Sequence, residues 1–339
     1  MAMEIGDNMN PQEILPEEDG DLFYDLLYPL FDFVNKEYRI CPEFETIDED
    51  TDTSATKVIT DYLWSHTRAI DFYLSEAELP DEYAQIIAGW KQCKAGVFVL
   101  ERHLQQGSVF ISKSDHKVYM VKNRFSTWQE LLGKAPVELV TTLLPSRDCI
   151  VSDGLLVPYS DYFSNGERRV LKSIYTEAKG KGNICFSLEP KKKWKPHKNK
   201  KAVNVESYVI QVDIGTDCCR HIRIGKQETL KTLHGAILDA FGFDDDHCYA
   251  FFMDDRYRSK TDVYYSNAIY DGGPSECDAT LRQLWLKKGN KFKFLFDFGA
   301  NWRFQCRVLQ ELEEKTDIPG VLKAVGEPPE QYPSWEDDD

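Results

Sequence analysis

The sequence has no pair of cysteines at CxxC spacing and no uncharged apolar run approaching the ~20 residues of a membrane helix. It also lacks a glycine-rich phosphate loop, a nucleophile elbow and a paired-carboxylate signature. These absences exclude a spanning helix and leave no recognisable catalytic constellation. The nine cysteines (Cys41, Cys93, Cys149, Cys185, Cys218, Cys219, Cys248, Cys277 and Cys306) are odd in number and scattered, so they read as reduced thiols in a cytoplasm. Adjacent Cys218 and Cys219 would point to opposite faces of a strand, which disfavours a bond between them. Met1 to Glu18 is acidic and lacks a basic-then-apolar stretch, so no signal or transit peptide is expected there. Basic side chains are scarce, 41 against 57 acidic ones, and the formal charge of −16 disfavours unspecific attraction to nucleic acid or an anionic membrane. Core material is ample: 42% hydrophobic and 13% aromatic residues in 339 suit two or three domains rather than wholesale disorder.

Where the charge sits divides the chain. Residues 1–82 carry 22 acidic and 4 basic side chains, whereas 83–188 carry 9 acidic and 14 basic. Residues 189–201 then hold seven lysines (Lys191, Lys192, Lys193, Lys195, Lys198, Lys200 and Lys201) against one acid, and 202–339 return to 25 acidic and 16 basic. The lysine run is interrupted by Pro190 and Pro196 and has no apolar face to bury, so it reads as a solvated linker over 189–204. With Trp194 as a stacking ring, the same lysines are the candidate nucleic-acid contacts.

Apolar positions at Leu22, Phe23, Leu26, Leu27, Leu30, Phe31 and Val34 recur at helical spacing and predict an amphipathic helix over 21–38. Further helices over 56–74 and 81–96 complete an acidic helical unit, 1–96. Residues 97–188 change to short Val-, Ile-, Phe- and Tyr-rich runs at 97–103, 109–112, 118–122, 137–144 and 149–158, separated by turn clusters, with a short helix at 127–132. Strands at this spacing predict a small β-barrel-like unit, finished by a helix over 165–179 and a strand near 183–188. A basic barrel of this kind is also a candidate oligonucleotide binder. From 205 to 325 the order is a strand pair, a helix from Thr229 stopped at Gly242, further strands, and a last hairpin whose turn is Gly299-Ala300-Asn301. That describes an α+β sheet with one packed helix, in a β-grasp-like order. Residues 326–339 read as an acidic, proline-containing tail on the surface or disordered.

The C-terminal unit resembles the plasmid pRiA4b open-reading-frame-three family, insertion-element passenger proteins named resolvase-like. The resemblance rests on the hairpin before the helix, Thr229-Leu230, Leu233-His234, Ile237, Phe241-Gly242, the Asp-rich lead-in to His247, and Phe296-Asp297-Phe298-Gly299 followed by Trp302. Gly326-Glu327-Pro328-Pro329-Glu330 looks like the family's C-terminal motif, so about 205–333 is covered. Ala300 stands where the family usually has a second acid, and Phe304 where it has a histidine. A metal or acid-base site built from those groups would lack two of its members. Residues 1–188 resemble regions fused to such domains in bacterial proteins. The resemblance implies a fold and a bacterial mobile-element setting.

A recombinase needs a nucleophile among several arginines, and Arg220, Arg223, Arg256, Arg258, Arg282, Arg303 and Arg307 do not form one locally. Asp244-Asp245-Asp246-His247 superficially resembles a ligand cluster, but adjacent turn residues rarely converge on one ion, so no metal and no cofactor is expected. His234 lies on the apolar helix and reads as a packed histidine. The sharpest constellation is a cleft of His247, Tyr265, Asp297, Trp302 and Arg303, read either as a ligand site or as a structural hairpin. The resulting expectation is a non-enzymatic, cytoplasmic bacterial protein that binds an unidentified protein or small ligand. The alternatives are a nucleic-acid-binding accessory protein using the basic linker and middle unit, and a metal-dependent hydrolase.

Overall fold

A computed structural model describes residues 13–188, 204–266 and 276–332. The lysine run and Trp194 lie outside the described residues. The chain is α+β, and its described strands form two sheets. It divides into two compact units. The first comprises Met1–Lys36, Ile40–Trp64 and Glu76–Pro196; the second comprises Glu37–Arg39, Ser65–Ser75 and His197–Asp339.

Four helices come first: α1 (Glu17–Tyr38), α2 (Thr53–Ser65), α3 (Arg68–Glu76) and α4 (Asp81–Gly89). The single helix expected over 56–74 is therefore two, broken at His66-Thr67. The break is held by Asp262, whose carboxylate accepts from the Arg68 backbone N–H at 3.0 Å and the Thr67 hydroxyl at 3.2 Å. The Arg68 guanidinium also donates to the carbonyls of Leu284 and Met253, so α3 is tied into the second unit. Apolar periodicity runs unbroken across the two helices, which is why the break left no mark in the hydrophobic pattern.

In the first unit follow β1 (Lys94–Leu104), β2 (Gly107–Ser112), β3 (Val118–Val121), α5 (Trp128–Leu132), β4 (Val137–Ser146), β5 (Cys149–Ser152), β6 (Val157–Ser160), α6 (Asn165–Lys181) and β7 (Ile184–Cys185). The run expected as one strand over 149–158 is β5 and β6, separated at Gly154, whose φ of 93° favours glycine. Five strands close on themselves: β1 pairs β2, β2 pairs β3, β3 pairs β5 in parallel, β5 pairs β4, and β4 returns to β1. The first half of β1 serves β4 and the second half β2, with a register shift between Leu100 and Arg102. The result is a closed five-stranded ring with α5 between its third and fourth strands. Inside the ring lie Phe98, Leu100, Phe110, Tyr119, Val121 and Trp128. On the outside of β2 and β3, Val109, Ile111, Val118 and Met120 are buried under Tyr175, Leu171, Ile174 and Ala178 of α6. Burial on both faces explains why these strands read as continuous apolar runs.

The second unit holds β8 (Ser207–Ile214), β9 (Cys218–Gly225), α7 (Leu230–Phe241), β10 (Tyr249–Phe252), β11 (Val263–Tyr265), β12 (Lys291–Phe296), β13 (Trp302–Leu312) and β14 (Gly320–Val325). The strands form one sheet in the order β11-β10-β12-β13-β8-β9-β14, with every pairing antiparallel. Thr229 caps α7 by accepting from the Thr232 N–H, and Gly242 ends it in the left-handed region, as the sequence pattern predicts. Leu230, Leu233, Ile237 and Phe241 of α7 bury one sheet face with Ile210, Val212, Phe292, Phe294 and Phe304.

The edge strand β14 has no counterpart among the elements the sequence pattern predicts, and its six residues are all exposed. Its far end is fixed by Arg220, a buried side chain that donates to the carbonyls of Val325 at 3.0 Å, Gly326 at 3.1 Å and Ala240 at 2.9 Å. At Gly326 (φ 72°) a Cβ would stand 2.1 Å from the Asp217 carbonyl oxygen, so the close approach of the two chain segments requires glycine. No disulfide joins any of the nine cysteines in the structure. Among the described residues no helix is long and apolar enough to cross a membrane.

Candidate functional site

After Gly242 the chain leaves α7 through Phe243 and three consecutive aspartates to His247, which precedes β10. Asp297 follows β12 and adopts φ 52°, a left-handed conformation that a short acceptor side chain tolerates. Its N–H donates to the Cys248 carbonyl at 3.0 Å, which joins the two loops. One carboxylate oxygen, Oδ1, accepts from the backbone N–H groups of Gly299 at 2.8 Å and Ala300 at 3.1 Å. The other, Oδ2, faces His247 Nε2 at 3.7 Å, while His247 Nδ1 lies 2.7 Å from Asp246 Oδ1. Both ring nitrogens of this half-exposed histidine therefore look at carboxylates. The Asp246 hydrogen bond, with the Asp297 charge adding to it, raises the His247 pKa above that of a free imidazole.

The C-terminal segment completes the cluster. Tyr332 donates its hydroxyl to Asp246 Oδ2, and this bond pushes the phenol up to about 12 and, with His247, holds the Asp246 carboxyl below its usual range. Gln331 is buried, accepting from the Asp244 N–H at 2.6 Å and donating to the Asp244 carbonyl at 3.1 Å. Most of the described part of the expected tail lies on the surface, and its Gln331 and Tyr332 clasp the Asp244–His247 loop; 333–339 lie outside the described residues. Local composition gave no signal for this, because both partners are polar residues far apart in the chain.

The five expected site residues do not line one cleft, because Tyr265 and Arg303 lie on the sheet face opposite Trp302. Trp302 points to the α7 side, packing edge-on against Phe243 at 5.0 Å, with its indole N–H buried and without a partner. Arg303 is the next residue on β13 and so points to the opposite face, where it bonds Asn301 and lies over the Tyr257 ring. Tyr265 is on that same opposite face, packed with Ala250, Phe252, Val263 and Leu295. The register places Tyr265, Ala250, Leu295 and Arg303 in one row across four strands, so Tyr265 and Arg303 stand about 14 Å apart.

The positions where this chain departs from the pRiA4b pattern are also placed. Ala300 is exposed and serves the turn through its N–H. Phe304 is fully buried against Phe241 and Phe294, at 5.3 and 5.2 Å. His234 is buried and stacks on Tyr249 at 3.6 Å, with Nε2 2.9 Å from Asp245 and Nδ1 unpartnered. Burial lowers its pKa, against the opposing pull of Asp245. Among the described residues no group of three or more His, Cys, Asp or Glu side chains is arranged to hold a metal ion.

A family model for plasmid pRiA4b ORF-3-like proteins matches residues 208–333. A crystal structure of a protein of unknown function from Methanosarcina mazei Go1 is similar at 22% identity, covering 35% of this chain and 70% of that one, with a TM-score of 0.28. No curated protein matches the chain.

Proposed function

We propose that the chain, whose residues 208–333 match the plasmid pRiA4b ORF-3-like family model, is a non-enzymatic binding protein of a bacterial cytoplasm, associated with mobile elements, whose partner is a protein or small ligand. The observation that carries this reading is the engagement of His247. With Nδ1 on Asp246 and Nε2 toward Asp297, neither nitrogen is placed as a free base or a metal ligand. Asp297 in turn spends one oxygen on two backbone N–H groups of its own turn. The odd number and scattered spacing of the cysteines support a reducing compartment, and the plasmid named in the family's description supports the mobile-element association.

The test is a turnover screen with nucleotide, ester and phosphodiester substrates, run with and without divalent metal. No turnover is expected. Robust turnover that Asp297→Ala abolishes while the fold is retained overturns the proposal in favour of a hydrolase.

A further inference from the structure

We propose that α6 and the cleft at its C-terminal end bind single-stranded nucleic acid. The inference keeps the non-enzymatic binding reading but goes beyond its protein or small-ligand partner, taking up the nucleic-acid alternative for the middle unit. Five-stranded barrels of the oligonucleotide-binding type take ligands on the face of their second and third strands. Here that face carries aliphatic side chains sealed under α6, so whatever this unit binds meets the helix that covers it.

The uncovered side of α6 has the chemistry for a phosphodiester strand. Its buried stripe is Leu171, Ile174, Tyr175 and Ala178. At ~100° per residue, Arg168, Arg169, Lys172, Thr176 and Lys179 fall in one sector of about 100° beside that stripe. All five are exposed, and among the described residues no carboxylate is paired with Arg169, Lys172 or Lys179. A shallow groove lined by Arg169, Lys172, Ser173, Thr176 and Glu177 lies along this surface. The one acid in the lining of this groove, Glu177, is paired with Lys181 at 2.6 Å. From Arg169 to Lys179 the helix rises about 15 Å, enough to follow successive phosphates.

The ridge leads, at Lys179, into a cleft of about 440 Å³ lined by Leu104, Tyr175, Ile184, Phe186 and the amides of Gln105 and Gln106. Phe186 is 50% exposed there, an aromatic face open to solvent. A flat ring for stacking, amides that both donate and accept, and a cation at the rim suit an unpaired base with its phosphate. An acidic protein segment would satisfy the cations but would leave the aromatic face without a planar partner. That distinction favours nucleic acid.

The test is fluorescence anisotropy of the full chain with labelled oligo-dT and oligo-rU at two salt concentrations. Binding that weakens with salt is expected. Combined substitution of Arg168, Arg169, Lys172 and Lys179 by Ala should lower the salt slope by roughly 3, at ~0.7 per phosphate on a single strand. Phe186→Ala should weaken binding about 5- to 100-fold with the slope unchanged, as expected for a lost stacking contact. The Phe186 effect should persist in a chain whose 191–201 lysines are neutralised. Unchanged melting temperatures keep all these variants interpretable, since the substituted side chains are exposed. Absence of oligonucleotide binding, binding indifferent to both α6 and Phe186 substitutions, or equal binding of a labelled polyglutamate overturns the inference. If no turnover accompanies such a result, the binding-protein reading stands without it; turnover overturns both.

Discussion

Each unit covers one sheet with one helix and turns one loop on an aspartate, yet the two solutions differ in kind. Among the twelve residues of α7, the buried ones are Leu230, Leu233, His234, Ile237, Leu238 and Phe241. Over its seventeen residues α6 fully buries Tyr175 alone and leaves five basic side chains on its exposed sides. One helix is core, and the other is a cover with a charged outer surface. The aspartates diverge in the same way. Asp153 Oδ1 accepts the Leu155 N–H at 3.1 Å just as Asp297 Oδ1 accepts that of Gly299. But Asp153 is fully enclosed and its second oxygen meets the Trp64 indole N–H at 2.9 Å, whereas that of Asp297 meets an imidazole. Identical local chemistry is thus put to different use by what surrounds it.

The largest expected effect tests the helix comparison. Leu233→Ala on α7 removes a side chain with no exposure and should cost about 2–5 kcal/mol. Ile174→Ala on α6, where the residue is only half-buried, should cost about 1 kcal/mol, because the site can relax toward solvent. Urea denaturation of both variants checks this. Equal losses would make α6 as integral to its core as α7 is to its own and would break the comparison.

A second prediction sharpens the contrast between the aspartates. Burial raises the Asp153 carboxyl to about 6, with the Leu155 N–H and the Trp64 indole pulling the other way. The unfolded carboxyl ionises near ~3.9, so between that pH and the folded value the native state holds the proton more tightly. Its contribution to stability is therefore complete below pH ~4 and lost as pH rises through about 6, a fall of roughly 2–3 kcal/mol. Denaturation midpoints from pH 4 to 7.5 should show this decline, and Asp153→Asn should flatten it. An unchanged slope in the variant would assign the decline to other groups.

Much of the fold was legible in the sequence because its signals are local. Thr229 and Gly242 bound α7 as their capping chemistry predicts, and the Val-, Ile-, Phe- and Tyr-rich runs between 97 and 158 mark the strands of the ring. The closure of that ring was less visible, since a parallel pair such as β3 with β5 depends on residues distant in the chain. The break before α3 depends on Asp262, and the clasp by Gln331 and Tyr332 on the Asp244–His247 loop, so neither leaves a periodic trace. The candidate site was half legible. His247 and Asp297 meet, but Trp302 and Arg303 are neighbours on a strand, and period-two alternation alone places them on opposite faces. The basic ridge of α6 was readable as composition; that it remains outward depended on knowing which face β2 and β3 would take.

The smallest effect belongs to Asp297 and separates its two tasks. Asp297→Ala removes the acceptor of two turn N–H groups and leaves alanine in a left-handed conformation, so it should cost about 1–2 kcal/mol. Asp297→Asn keeps an amide oxygen for the same N–H groups and should cost about 0.5 kcal/mol, since the only loss is a charge facing an exposed imidazole. Proton NMR titration of His247 supplies the second readout. Its pKa should fall toward that of a free imidazole in Asp297→Asn, and fall further in Asp246→Asn, because the Asp246 hydrogen bond is the larger cause of the upward shift. Equal stability losses for the Ala and Asn substitutions, together with a larger titration shift in Asp297→Asn than in Asp246→Asn, would mean that the charge pair rather than the turn is what Asp297 maintains. The two turn aspartates would then differ in role as well as in surroundings.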